Sequence, residues 1–292
     1  MRLPKKVSNL PCWQGALKAQ PLSGGLSNEI WKVTDAIGEY VVRLGDNYPF
    51  HHVDRTREAM TARAAYAAGF GPAVQHTEPG IMVTDFVDAR TWAEQDLLDN
   101  PERVGRLLAR FHQTMPAQIT GEAFLFWPFH VIRDYAHTLK GTSYATGLSS
   151  LLILSAEMEA VQIPLPIIFG HHDLLPANFL DDGDRLWLID YEYAGFGTAL
   201  FDLAGAASNA GMSPDEAEAL MAAYFGSMPD TPLMRAFDAM QVASLLRETL
   251  WAMVSSIHLA APGADYEAYA VENRERLNVA VDAYRSRWET AL

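Results

Sequence analysis

Residues 169–180 read FGHHDLLPANFL, and residues 186–192 read LWLIDYE. These two segments contain short apolar runs on either side of a polar stretch. Pro176 cannot occupy the interior of a helix, so the residues around it are predicted to form a loop. Phe179-Leu180 and residues 186–189 are separated by Asp181-Asp182-Gly183-Asp184, a pattern that predicts a small β-hairpin with a tight turn.

Three polar residues in these segments lie at informative spacings. Asp173 and Asn178 are five positions apart in an H-x-D-x4-N sequence, and Asp190 ends the second apolar run. This arrangement is typical of enzymes that transfer a phosphoryl group, a reaction that depends on positioning and charge neutralisation. Asp173 could accept the proton of an attacking hydroxyl. Asp190 and Asn178 offer the oxygen ligands that Mg²⁺ prefers.

The composition predicts a globular protein. The chain has 292 residues, of which 49% are hydrophobic and 20% charged, enough for one large domain or two lobes. No apolar run approaches the ~20 residues that span a bilayer, and the basic N-terminus lacks the apolar core of a signal peptide. The single cysteine, Cys12, cannot form an internal disulfide. We expect a cytoplasmic protein without membrane insertion.

The net charge of −14 is unevenly distributed. Residues 1–140 contain 15 basic and 15 acidic residues, whereas residues 141–292 contain 7 and 21. This balance argues against a nucleic-acid partner, which requires a basic surface. It favours a small cationic substrate bound by the second half, or it serves only solubility.

The first 88 residues have the pattern of a small β-rich lobe. Strands are predicted over 16–22, 29–34 and 39–44, with a glycine-containing turn between the first two. Such a turn can place backbone N–H groups around phosphates, although an ordinary hairpin turn has the same pattern. Arg43 lies in the otherwise apolar third strand. It is either an exposed edge residue or a ligand of nucleotide phosphates.

The remainder of this lobe is predicted as one helix and two strands. Residues 54–68 have a helical composition, and Glu58 near the start could pair with Arg43 or lie on a solvated face. Strands over 73–77 and 81–87 flank the turn Glu78-Pro79-Gly80. Asp85, Phe86 and Val87 would then lead into a hinge whose backbone could contact an adenine.

Residues 89–292 are predicted to be mainly helical. A helix begins at Asn100-Pro101, where apolar residues then recur at helical spacing, and His112 at its end is interpreted as structural. The other predicted helices cover residues 128–139, 147–161, 214–226, 232–257 and 266–287. The fold class is therefore α+β, with an antiparallel β lobe (1–88) followed by a larger helical lobe (89–292).

Five segments together resemble the choline/ethanolamine kinase branch of the aminoglycoside-phosphotransferase-like kinases. They are residues 24–28, 42–44, 171–180, 189–195 and 201–204. The resemblance extends over nearly the whole chain. It implies a two-lobed protein-kinase-like fold and ATP with Mg²⁺ as the phosphoryl donor.

The resemblance also implies roles for individual residues. Asp173 matches the catalytic base, and Asn178 and Asp190 match the magnesium ligands. Arg43 and Glu58 match the pair that positions the nucleotide. The phosphate-binding loop matches Ser23, Gly24, Gly25, Leu26, Ser27 and Asn28.

The acceptor site is implied by further matches. Glu192 and Tyr193 match acidic and aromatic choline contacts, and Trp251 matches a tryptophan of the aromatic cage, a type of site that binds quaternary ammonium groups. Tyr266 and Tyr269 match a region that adds aromatic contacts. Core packing between helices is the alternative for Trp251 and both tyrosines. Choline kinases tend to carry a second tryptophan where this chain has Glu248.

The function indicated is that of a kinase for choline or a related amino alcohol. A kinase of the same fold acting on an aminoglycoside, thiamine or a sugar is the first alternative. A nucleotide-binding pseudokinase without turnover is the second, and the presence of Asp173, Asn178 and Asp190 argues against it. The sequence leaves the oligomeric state open.

Overall fold

The N-terminal part of the chain forms one antiparallel sheet next to a helix. The computed structural model describes residues 3–22, 28–260 and 264–289. After the short helix α1 (Lys5–Ser8), the sheet is formed by β1 (Lys18–Leu22), β2 (Glu29–Thr34), β3 (Glu39–Leu44), β4 (Val74–Glu78) and β5 (Ile81–Asp85), and α2 (Arg55–Ala67) lies between β3 and β4 in sequence. The strand order is β1-β2-β3-β5-β4.

Alternation of side chains along β3 places Arg43 towards the cleft. Val42 and Leu44 are buried on one face of the sheet, in a core that includes Trp31 and Val33. Arg43, between them, projects from the opposite face because successive strand residues point to opposite sides. Its side chain is 11% exposed. The interpretation of Arg43 as an exposed edge residue is therefore wrong.

Two small sheets carry the polar loop of the second half. β6 (Arg90–Thr91), β8 (Phe179–Asp181) and β9 (Leu186–Leu188) form one sheet, in the order β6-β8-β9. β7 (Ile167–Gly170) pairs with β10 (Gly195–Thr198) in the other. The loop 171–178 thus begins at the end of β7 and leads into the hairpin formed by β8 and β9. This hairpin confirms the one predicted from the sequence.

The remaining chain is helical. The helices are α3 (Glu94–Asp99), α4 (Pro101–Thr114), α5 (Pro128–Thr138), α6 (Leu148–Ala160), α7 (Ala199–Ala210), α8 (Pro214–Phe225), α9 (Thr231–His258) and α10 (Tyr266–Trp288). The long helix α9 packs against α5, α6, α7 and α10, so its middle turns lie in the core. None of the helices in the described ranges is long and apolar enough to cross a membrane.

The predicted α+β architecture is confirmed, with an antiparallel sheet first and helices after it. Predicted element ends differ by a few residues, and the strand predicted to reach Val87 ends at Asp85. Helix α7 was not predicted because nearly all its side chains are buried, which removes the polar face that marks a surface helix. The boundary near residue 88 stays a prediction.

Candidate active site

A cleft of about 450 Å³ lies between the N-terminal sheet and the helical part. One wall comes from the sheet, including Ile30, Val41 and Arg43. The other contains the loop residues Asp173 and Asn178, the segment after β9 and one turn of α9. Residues that are far apart in sequence therefore line a single cleft of a size suited to small ligands.

Asp202 on α7 fixes the start of the loop. Its buried carboxylate accepts hydrogen bonds from the backbone N–H groups of His171 at 2.7 Å and His172 at 2.6 Å. The His112 ring also hydrogen-bonds it, at 2.8 Å. Burial alone would raise the pKa of Asp202, but the nearby His172 and the hydrogen bonds hold that pKa well below its usual value. Asp202 therefore remains a carboxylate and holds the loop in place.

His171 connects the loop to the segment that carries Asp190. Its ring Nε2 donates to the carbonyl of Ile189 at 2.9 Å, and burial lowers the pKa of His171 to about 4, so the ring is neutral at pH 7. The N–H of Ile189 in turn donates to the carbonyl of Asn178 at 3.1 Å. These two bonds set the position of the loop relative to Asp190.

Asp173 and Asn178 lie together at the cleft. The amide of Asn178 donates to the carbonyl of Asp173 at 2.8 Å and approaches its carboxylate at 3.5 Å. The pKa of Asp173 is raised well above its usual value, first by burial and further by Glu248, while the positive charge of Arg247 opposes the shift. A carboxylate with a raised pKa is a stronger base than an exposed one.

The oxygen ligands at this point suit Mg²⁺. Asp190 has φ 68°, in the left-handed region that few residues other than glycine adopt, and such strain is frequent at functional sites. One of its oxygens accepts from Arg43 at 2.8 Å. The Asn178 amide nitrogen is used as a donor, which leaves its side-chain oxygen available as a metal ligand. Within the described ranges no cluster of three His, Cys, Asp or Glu side chains forms a metal cage. Mg²⁺ usually takes one or two protein oxygens together with phosphates and waters, so this donor set fits.

Charged side chains from α2 and from the segment after β9 meet beside Arg43. Arg43 pairs with Glu58, which is 1% exposed, so Glu58 does not lie on a solvated face. Arg55 binds Glu58 and Glu192, both at 2.8 Å. It also donates to Asn28 at 2.7 Å. Glu192, which the family resemblance linked to the acceptor, is thus held by arginines at the junction of the sheet and the helical part.

The part of the cleft near the sheet is mainly apolar. Asp85, Phe86 and Val87 line it together with Ile30 and Val41. A slot of this kind suits the flat, largely apolar faces of a nucleobase. Of the predicted phosphate-binding loop, Asn28 lines the cleft, and residues 23–27 lie outside the described part of the chain.

The opposite end of the cleft is aromatic. Trp251 lines it, and its indole N–H donates to the Tyr193 hydroxyl at 2.7 Å. The ring of His51 stacks on Trp251 with centroids 5.1 Å apart. Tyr266 and Tyr269 meet the indole edge-on, each at 6.1 Å. Trp251 is therefore both packed into the core and part of the cleft wall, so the two interpretations of this residue do not exclude one another.

A charged pair on α9 accompanies these aromatic residues. Arg247 donates to Glu248 at 2.6 Å, and the Tyr269 hydroxyl donates to the same carboxylate at 2.9 Å. Both members of the pair line the cleft. Glu248 was noted from the sequence, but Arg247 and Arg55 were not predicted as site residues. The available signal for Arg247 was an Arg-Glu pair within residues 242–254, which contain no other charged residue.

The sequence of this chain is similar to those of known phosphotransferases. Residues 18–240 match the family described as the phosphotransferase enzyme family. A probable ethanolamine kinase of Arabidopsis thaliana is 25% identical over 270 residues, which cover 80% of this chain and 72% of that protein.

Two crystal structures have a similar fold. A choline/ethanolamine kinase family protein from Mesorhizobium loti has a TM-score of 0.77 and 27% identity, covering 94% of this chain and 92% of that one. Choline kinase LicA from Streptococcus pneumoniae has a TM-score of 0.78 and 20% identity, covering 96% and 97%. The predicted two-lobed kinase-like fold and family resemblance are confirmed.

Proposed function

Because the chain belongs to the phosphotransferase enzyme family, we propose that it transfers the γ-phosphoryl group of ATP to the hydroxyl of a small amino alcohol. The observation that carries the proposal is the position of Asp173. Its half-buried carboxyl lies in a cleft that is also lined by Asn178, Asp190 and the aromatic end with Glu248. A base between a metal-type donor set and an acceptor pocket suits direct transfer.

The nucleotide is assigned to the part of the cleft near the sheet. The backbone of Asp85, Phe86 and Val87 would meet the adenine edge, and Arg43 would contact the phosphates. Glu58 holds Arg43 from α2, and Arg55 binds Glu58 as well, so the guanidinium of Arg43 is fixed before the nucleotide arrives. A prepositioned cation needs little rearrangement when charge develops on the phosphate.

Asn178 and Asp190 are the residues that would hold Mg²⁺, which would neutralise phosphate charge during transfer. Asp190 accepts from Arg43, and the Asn178 backbone is bonded to Ile189. Both oxygen donors are therefore held by contacts that do not depend on the ligand.

Asp173 would take the proton of the acceptor hydroxyl. As the hydroxyl oxygen forms its bond to the γ-phosphorus, the bond from that phosphorus to the β-γ bridging oxygen breaks and ADP leaves. The raised pKa of Asp173 supports this role because a more basic carboxylate removes the proton more readily. The hydrogen bond from Asn178 to the Asp173 carbonyl restricts its orientation.

The acceptor is proposed to be cationic. Glu248 presents a carboxylate beside Trp251 and Tyr193 in the wall of the cleft. Aromatic faces and a carboxylate together attract an ammonium group. The acidic excess of residues 141–292 adds attraction at longer range.

An ADP-release screen tests the proposal. Purified protein with Mg·ATP would be assayed with choline, ethanolamine, thiamine and several aminoglycosides, each against a reaction without acceptor. We expect ADP release that depends on an amino alcohol. Strong turnover with an aminoglycoside alone would move the assignment to the first alternative. ATP binding without acceptor-dependent turnover would favour the pseudokinase.

A further inference from the structure

One edge of the Arg247 guanidinium has no hydrogen-bond partner among the residues that the structure describes. The residue is 3% exposed, and its Nη1 donates to Glu248 at 2.6 Å. Within the described part of the chain, the buried Nε and Nη2 atoms make no hydrogen bond. These two nitrogens lie on the same edge of the guanidinium and donate in parallel, which is the geometry that binds a carboxylate through both oxygens.

Neighbouring side chains fix the plane of the Arg247 guanidinium without accepting hydrogen bonds from Nε and Nη2. The guanidinium carbon lies 4.4 Å from the centroid of the Tyr193 ring, so one face is covered. The Tyr135 hydroxyl is close enough for the charge of Arg247 to oppose the rise that burial causes in the pKa of Tyr135. Arg247 also approaches that hydroxyl as a donor, but neither Nε nor Nη2 reaches it with the geometry of a full hydrogen bond. Buried donors are almost always paired in folded proteins, and leaving two of them unpaired is unfavourable.

The position of Arg247 points to the acceptor as the missing partner. Arg247 lines the same cleft as Asp173, and its charge opposes the rise in the pKa of that carboxyl. Glu248, the partner of Arg247, faces the same cleft and also binds Tyr269. One positive and one negative group therefore stand side by side where the acceptor is expected.

We propose that the acceptor is zwitterionic: a hydroxy amino acid whose carboxylate binds the Nε–Nη2 edge of Arg247 and whose ammonium binds Glu248. This inference rests on the proposed function and narrows its substrate class. A plain cation would satisfy Glu248 but leave the Arg247 edge unpaired. A zwitterion satisfies both groups and adds no net charge to the pocket. Its hydroxyl would then be directed to Asp173.

Matched pairs of acceptors test this inference directly. L-Serine and ethanolamine differ only by the carboxylate, as do L-homoserine and 3-aminopropan-1-ol. Binding of each to the protein with a non-hydrolysable ATP analogue and Mg²⁺ would be measured by calorimetry, and turnover by ADP release. We expect the amino acid of at least one pair to bind roughly ten- to hundredfold more tightly, the effect of a charge-assisted bidentate contact.

The variant Arg247→Lys keeps the charge but removes the parallel donors. We expect it to lose most of the preference within that pair, measured as the ratio of the two affinities in each protein. Arg235→Lys, at an exposed position on the same helix, is the matched control and should keep the wild-type preference.

The outcomes separate this inference from the proposed function. Equal or tighter binding of the plain amine in both pairs by the wild type would overturn the zwitterion, even if amines are phosphorylated and the kinase function stands. An unchanged preference in Arg247→Lys would overturn the role of Arg247. A carboxylate preference that is lost in Arg247→Lys supports the inference. If no acceptor gives turnover, the proposed kinase function is wrong, whatever the binding preference.

Discussion

The indole N–H of Trp251 donates a 2.7 Å hydrogen bond to the hydroxyl of Tyr193, and so joins α9 to the segment that follows Asp190. Arg247, one helical turn before Trp251, stacks on the ring of the same tyrosine. Tyr193 is thus held from two successive turns of α9. This contact connects the aromatic end of the cleft to the segment after β9, which carries Asp190.

Replacing Trp251 by Ala should weaken acceptor binding selectively. A contact between a cation and an aromatic ring contributes about 0.5–2 kcal/mol, so the KM of the acceptor should rise roughly two- to thirtyfold. The KM of ATP should change little, because the nucleotide is assigned to the other end of the cleft. Steady-state kinetics with each substrate varied would measure both values.

The control for Trp251 is thermal stability, since the indole also packs against His51. Tyr193→Phe removes the hydrogen-bond acceptor but keeps the ring, and should affect KM less than Trp251→Ala. A large fall in the Tm of Trp251→Ala with equal damage to both substrates would show that Trp251 serves packing alone.

Asp190→Ala should abolish magnesium-dependent ATP binding. The substitution removes the only carboxylate of the assigned metal-binding pair and frees Arg43 from one partner. Calorimetric titration with ATP, in the presence and absence of Mg²⁺, would measure the effect. Asp282→Ala, on the exposed side of α10, is a suitable control. Equal affinity and equal metal dependence in wild type and Asp190→Ala would reject this role.

Acid should destabilise the fold through His51. Burial and the positive charge of Arg247 lower the pKa of His51 from 6.5 to about 2. Between these two values the unfolded chain binds a proton that the folded protein does not. The stabilising contribution of neutral His51 is therefore fully present above pH ~6.5. As the pH decreases below this value, the free energy of unfolding falls by up to about 1.4 kcal/mol per pH unit because of this residue.

Denaturant unfolding at several pH values between 4.5 and 7 would measure this slope, about 1.4 kcal/mol per unit at its steepest. His51→Asn should be less stable but should lose that part of the slope. His130→Asn, at an exposed position, should keep it. An identical slope in wild type and His51→Asn would show that His51 is not responsible.

Asp202→Asn should destabilise the loop 171–178. In the wild type, the Asp202 carboxylate faces two backbone N–H groups and the ring of His112. The amide of Asn keeps one acceptor oxygen, but its NH₂ group would face one of these partners in place of the second oxygen. Breaking such a buried charged network costs roughly 3–5 kcal/mol. Chemical denaturation would measure the free energy of unfolding, with the surface variant Asp282→Asn as the reference. A change below about 0.5 kcal/mol, typical of surface substitutions, would contradict the role of Asp202.

The central residues of the candidate site could be predicted because they lie close together in the sequence. Asp173, Asn178 and Asp190 lie within one loop and hairpin, and a proline and a polar turn define that geometry in the sequence. The pairing of Arg43 with Glu58 was one of two open interpretations. The structure decides between them, because Glu58 is buried and pairs with Arg43.

The remaining features depend on contacts between distant segments. Arg55 meets Glu192 across 137 positions, and Trp251 meets Tyr193 across 58. The pairing of β7 with β10 and the almost entirely buried helix α7 carry no periodic signal of their own. Arg247 was missed because a charged residue in an apolar helix usually lies at its surface. Here the helix is surrounded by other helices and the arginine faces a cleft.

The most direct test of the account is acceptor-dependent ADP release by the wild type and Asp173→Asn, assayed side by side with choline, ethanolamine, L-serine and L-homoserine. Asparagine keeps the shape of the side chain but cannot accept the proton. We predict that at least one acceptor stimulates ADP release by the wild type and that Asp173→Asn loses roughly 10²–10⁴-fold in kcat with near-normal ATP binding. A variant that folds, binds ATP and retains near-normal kcat would contradict the assignment of Asp173 as the base.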